Sequence, residues 1–218
     1  MLKEVTYLVR KELMLEWRSK AAFGGVLLYV VSTIFVAYLS FKEVVEVPVW
    51  NALLWIILLF AATSAIARSF SEETKGKQLY MYTLASPQSI VISKIVYNAL
   101  SVSVLSVLCY VIYSLLIGNL VQNQLMFFIA LLLGAIGFSS TLTLISAIAS
   151  QTDNNLTLMS ILGFPIILPL LITLLTFSKN AIDGIAWSVN FKYIGVLLLL
   201  NLIVVTLSYL LFPYLWRD

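Results

Sequence analysis

The sequence contains no histidine and a single cysteine, Cys109. The missing histidines remove the commonest haem and zinc ligand, and the side chain most often used as a general base. One cysteine excludes an internal disulfide, and Cys109 lies inside an apolar run. Charge is scarce as well. Thirteen Lys and Arg against ten Asp and Glu leave a net charge of +3, and only 11% of residues are charged. A soluble domain carries about a quarter. The small excess sits mainly at two places, so it speaks to topology and not to nucleic-acid binding. No Gly-x-x-x-x-Gly-Lys-Ser/Thr loop occurs, so the chain is not expected to cradle nucleotide phosphates itself. Gly76-Lys77-Gln78 lacks both the hydroxyl and the preceding glycine.

What the chain has in abundance is apolar surface, 61% of its 218 residues. That composition predicts an all-α integral membrane protein, with room for about six spanning helices and no soluble catalytic domain. Six uncharged segments, near 21–41, 49–67, 95–118, 125–149, 157–177 and 193–215, pass the length test. We read 1–218 as a single transmembrane domain whose first apolar run is a retained span and not a removed signal. An even number of spans puts both termini on one side. That side holds Lys3, Arg10, Lys11, Arg18, Lys20, Arg68, Lys75, Lys77, Lys94 and Arg217. The other holds Lys42, Lys179 and Lys192. The positive-inside bias therefore places both termini and the 68–94 connection in the cytoplasm.

Residues 1–20 should form an interfacial helix. Val5, Val9, Leu13 and Trp17 recur on one face, with Glu12 and Glu16 intruding on it and Arg10, Lys11 and Arg18 largely elsewhere. On the outer side, residues 178–192 are expected to be a loop carrying a short interfacial helix around Ile182, Ile185, Ala186 and Val189.

The longest polar interruption is 68–94. Ser69 and Glu72 have capping-box spacing, Ser71 is a second candidate cap, and Glu72 and Glu73 suit a first helical turn. Gly76 weakens that turn, and Leu79, Met81, Tyr82 and Leu84 give an apolar surface. Ser86-Pro87 then restarts a helix, with Ser86 as N-cap and Pro87 at the first helical position, rising through Lys94. A plain connection needs only a few residues. The segment is therefore either a capped return loop or a surface for another protein.

Inside the spans, no acid or base exists to relay protons. Gly134, Gly137, Ser139, Ser140, Thr141 and Thr143 crowd the fourth span, which suits close helix packing or a polar path. Asn98 and Asn201 are candidates for interhelical contacts or substrate-facing groups. In the fifth span Pro165 and Pro169 lie one turn apart and should kink or locally unwind the helix, making a candidate conformational hinge. Met126, Met159 and Cys109 are conceivable haem ligands, but in apolar spans they read as packing residues.

The order acidic pair, glycine, leucines, Pro and Lys in 68–94 resembles the permeases of the ABC-2 exporter family. The matching residues are Glu72, Glu73, Gly76, Leu79, Leu84, Pro87 and Lys94; Lys77-Gln78 stands where many members have Thr-Leu-Glu. Within that family, the near-minimal length and the run Gly163-Phe-Pro-Ile-Ile-Leu-Pro-Leu-Leu-Ile172 look like the B subunits of cytochrome c maturation (haem exporter) transporters. The resemblance implies a multi-pass permease of the bacterial inner membrane, without catalytic or metal site, docked through those residues and Tyr82 onto a separate ATPase as a coupling helix. ATP would then be bound by that subunit, and haem by a haem-handling membrane subunit and a periplasmic haem chaperone, with no cofactor on this chain. The cycle would export haem or release the loaded chaperone. An ABC-2 permease for a lipid, glycan or drug, and a non-transporting membrane scaffold, stand as the alternatives.

Overall fold

The computed structural model of the protein describes residues 2–18, 20–41, 45–67, 85–150 and 155–215. The described residues form seven α-helices and no strand: α1 (Leu2–Arg18), α2 (Lys20–Ser40), α3 (Val47–Ile66), α4 (Pro87–Ile117), α5 (Gln124–Ala149), α6 (Asn155–Ile182) and α7 (Trp187–Leu215). Five stretches are long and apolar enough to cross a membrane: α3, α4, α5, Ile161–Ile182 of α6 and Trp187–Tyr214 of α7. The expected first span corresponds to α2, whose described apolar stretch, Gly24–Ser40, is shorter. Long uncharged helices are the answer these sequences must give, because hydrocarbon offers no partner for an open backbone group.

The helices overrun the expected spans. With 31 residues, α4 is about 46 Å long, against about 30 Å of hydrocarbon. Its polar first turns, Gln88, Ser89, Ser93 and Lys94, therefore extend past the apolar run that begins at Ile95.

The outer connection differs from expectation. No interfacial helix lies within 178–192; α6 continues through Ile182, residues 183–186 turn, and α7 starts at Trp187. The cause is a glycine termination. Gly184 takes φ 71°, and the Ile185 N–H donates to Asn180 O at 2.9 Å, the long-range bond of a Schellman motif. A Cβ at Gly184 would collide with the Gln122 side chain. Asn180 then donates to Asn190 Oδ1 at 2.8 Å, and Asn190 Nδ2 donates to Ala186 O at 3.0 Å, pinning both helix ends.

The main core gathers around α5, which meets α3, α4, α6 and α7. Its closest approaches run through glycines. A Cβ on Gly134 would stand 2.6 Å from the Trp55 ring, and one on Gly137 2.7 Å from Leu170. The hydroxyls of Ser139 and Ser140 turn back onto Ile136 O (2.9 Å) and Gly137 O (3.2 Å) of their own helix. Of the two readings of the fourth span, the structure favours packing. Asn201 donates across to Leu133 O at 3.3 Å, so it too is an interhelical contact. Met126 and Cys109 are fully buried in the same core, in keeping with packing roles.

At one end of the core Trp50 is held between Tyr113 and Phe127. Its indole donates to Gly118 O at 3.0 Å, and Tyr113 donates to Trp50 O at 2.9 Å. Nearby, α3 and α6 share a buried polar knot. The Trp55 indole donates to Ser178 Oγ at 2.8 Å, Ser178 Oγ lies 2.8 Å from Asn51 Oδ1, and Asn51 Nδ2 donates to Leu175 O at 2.9 Å.

Candidate functional site

The candidate site is the base of α4 and the helix laid against it. Of the docking residues expected from the sequence, Glu72, Glu73, Gly76, Leu79, Tyr82 and Leu84 lie outside the described residues. Pro87 and Lys94 lie within them. Ser86 has extended backbone (φ −68°, ψ 143°) and Pro87 occupies the first helical turn, so the restart falls where Ser-Pro chemistry puts it. The fixed φ of proline suits the turn, and its missing N–H is one that would have had no helical partner.

Ser86 does not cap α4 with its own side chain. Its Oγ is instead 3.2 Å from Glu4 Oε2, to which it donates, and 2.8 Å from Ser89 Oγ. Glu4 belongs to α1, 82 residues earlier in the chain. Its carboxyl is held below the usual carboxylate range, chiefly by the Ser89 hydroxyl. The positive chain terminus and the Ser86 N–H and hydroxyl act in the same sense, and desolvation opposes them. A carboxylate at this place also suits the positive end of the α4 dipole.

Under this polar contact lies a second apolar cluster, formed by Ile90, Val91, Ile95, Ala147 and Phe212, with Leu8 of α1 packed against it. The face that α1 turns inward therefore carries Glu4 and Leu8. The expected stripe is only partly placed so: Val5 and Val9 are half-buried, Leu13 is exposed, and the side chain of Trp17 lies outside the described residues. Glu12, expected to intrude on the apolar face, is half-buried and pairs with Lys11 at 3.1 Å. Glu4, Val5, Leu8, Val9 and Glu12 thus share the half-buried side of α1, and Leu13 alone of the stripe's described side chains is exposed. The outer face presents Lys3, Tyr7, Arg10 and Met14.

Lys94 is 2% exposed, one turn above Ile90 and Val91. It points into the body of the protein and not toward its surface. A turn further on, Asn98 donates to Thr143 Oγ1 of α5 at 2.8 Å, which makes Asn98 an interhelical contact. Asn98 thereby ties the lower part of α4 to α5.

The two hinge candidates lie apart from this joint. α6 runs without interruption through Pro165 and Pro169, so the expected unwinding does not occur. Both prolines are on its exposed side. Neither can donate, so the carbonyls of Ile161 and Pro165 lack their usual partners within the helix. Directly after Pro169, Leu170 fills the space left by Gly137.

Sequence reasoning missed Glu4 and the Asn51–Trp55–Ser178 knot. For Glu4 no local pattern could have served, since its partner is distant in the chain. For Asn51 a signal existed: an amide inside an apolar span demands a partner.

The family model described as CcmB protein matches residues 3–212, nearly the whole chain. No curated protein matches it.

Proposed function

Since this chain belongs to the CcmB family, we propose that it passes the motion of a partner ATPase into the membrane through the 68–94 segment. Membership makes it a multi-pass permease-type subunit of a haem-export ABC transporter of the inner membrane, working with other transporter components in cytochrome c maturation and not itself an ATPase.

The proposed motion enters through α4. Its helix begins at Ser86-Pro87, immediately after the segment that resembles a coupling helix, and continues for 31 residues. A push on residues 71–84 would thus act directly on the end of a stiff rod. Glu72, Glu73, Gly76, Leu79, Tyr82 and Leu84 are proposed to touch the ATPase, while Pro87 and buried Lys94 fix the joint. The burial of Lys94 supports a fixing role over a contacting one. Pro165 and Pro169 are proposed as the place where α6 flexes in response. We count α2 as the sixth span, since its 21 residues rise about 31 Å. With six spans the basic residues put both termini in the cytoplasm.

Haem here is cargo of the system and not a resident group of this chain. The packed hydroxyls of α5 and the buried positions of Cys109 and Met126 favour a cycle that releases a haem-loaded periplasmic chaperone over one that threads haem through this chain. Haem ligation then falls to a haem-handling membrane subunit and the chaperone, and nucleotide to the ATPase. The observation that carries the proposal is the family match together with the rod-like α4 beginning where the polar segment ends. Replacing Gly76 to Leu84 by a flexible linker should abolish co-purification with the ATPase. A complex that survives the change intact would refute the docking assignment.

A further inference from the structure

The first turn of α4 receives its acceptor from outside. Ser86 makes no side-chain cap and Pro87 has no N–H to give. An acceptor from α1 sits at the start of α4, where Glu4 accepts from the Ser86 hydroxyl at 3.2 Å. Ser89, the third member of the contact, is fully buried, and Leu8, one turn after Glu4, packs on the apolar cluster of the α4 base. Hydrogen bond and apolar contact therefore hold α1 and α4 together along one face.

We propose that Glu4 is a positioning residue that clamps α1 to the first turn of α4, so that both helices move as one body when the segment before Ser86 is displaced. The inference rests on the reading of that segment as the ATPase's point of attachment. A helix held at the membrane by lipid alone would stay behind when α4 moved. A clamped α1 travels with α4 and, through the chain, pulls on α2, which begins at Lys20 just beyond it. One stroke is thus delivered to two spans. The low-lying carboxyl of Glu4 keeps the clamp charged at every physiological pH.

The test uses the assembled transporter in membrane vesicles, with Leu8→Cys as a reporter in a Cys109→Ser background. Maleimide labelling of the reporter should be slow at rest and equally slow during ATP turnover. Glu4→Ala should speed it about fivefold, the factor implied by losing one net hydrogen bond. Glu4→Gln, which keeps an acceptor oxygen but no charge, should fall between. All three chains should retain the ATPase on co-purification. Cytochrome c matured per ATP hydrolysed should be highest with Glu4 in place, lower in Glu4→Gln and lowest in Glu4→Ala. Labelling that ignores residue 4, or that accelerates on turnover with Glu4 present, overturns the clamp. If instead labelling at rest depends on Glu4 but the ATPase does not bind through 76–84, the clamp stands and the docking reading falls.

Discussion

Replacing Ser178 by alanine removes one oxygen on which buried groups of two helices depend. The Trp55 indole donates to it at 2.8 Å, and it lies 2.8 Å from Asn51 Oδ1. Trp55 is 1% exposed and Ser178 fully buried, so no water can replace the lost partner. An orphaned buried donor costs about 1–3 kcal/mol. The Asn51 oxygen loses less, because the single Ser178 hydrogen is shared with Leu174 O at 2.6 Å. The total should be about 2–4 kcal/mol. Hydrogen bonds within membrane proteins average only about 0.6 kcal/mol in double-mutant cycles, with a ceiling near 1.7. The coupling between Ser178→Ala and Trp55→Phe should approach that ceiling, because the phenylalanine no longer carries the donor that alanine strands. Reversible denaturation of the purified chain in mixed micelles measures all four corners, and Ser178→Thr, which keeps the oxygen, should couple weakly. Additivity within about 0.3–0.5 kcal/mol would refute the reasoning. The result bears on mechanism as well. If α3 grips α6 at Ser178, the part of α6 free to swing lies before it, where Pro165 and Pro169 are.

Gly134→Leu should cost more than the about 1–3 kcal/mol of ordinary overpacking, since even its Cβ meets the Trp55 ring at 2.6 Å. Gly195→Ala, with nothing within 4 Å, should leave stability unchanged or raise it by up to about 1 kcal/mol; heating followed by a test for monodispersity compares the two. Pro165→Ala with Pro169→Ala restores two helix donors and should stabilise α6 by up to about 3 kcal/mol per site while lowering cytochrome c maturation. A raised Tm with full maturation would remove the hinge. Because the folded Glu4 carboxyl titrates below its ordinary range, its contribution is present above that range and lost as pH falls through the folded value. Protection of α1 amides against hydrogen exchange should therefore be flat from about pH 6 to 8 and fall below about pH 4, with the acid-dependent step absent in Glu4→Gln.

Five of the six expected spans were legible because uncharged runs of membrane length favour a helix that satisfies its own backbone. The side-chain cap expected of Ser86 does not form, its hydroxyl meeting Glu4 and Ser89, but the helix start at Ser86-Pro87 was legible because proline chemistry is local. The outer end was not, since the turn depends on Gly184 meeting Gln122 and on Asn180 finding Asn190, contacts that exist only once α6 and α7 lie together. Residue spacing placed Val5 and Val9 on the half-buried side of α1, but not Leu13, which is exposed, and it gave no sign that Glu4 on the same side meets Ser86. The prolines of α6 announced weakened hydrogen bonding, yet the helix runs on through both, with Leu170 packed close to Gly137. For the docking segment, sequence pattern remains the source of the assignment, because residues 68–84 lie outside the described residues.

Whether the ATPase attaches at residues 68–84 can be read in living cells from a photo-crosslinking amino acid placed at Leu79. Attachment there should give a covalent adduct with the ATPase subunit, and none from the same probe placed at Ile185 in the outer turn. Crosslinking of the Leu79 probe to lipid alone, in cells where the transporter is assembled, would contradict it.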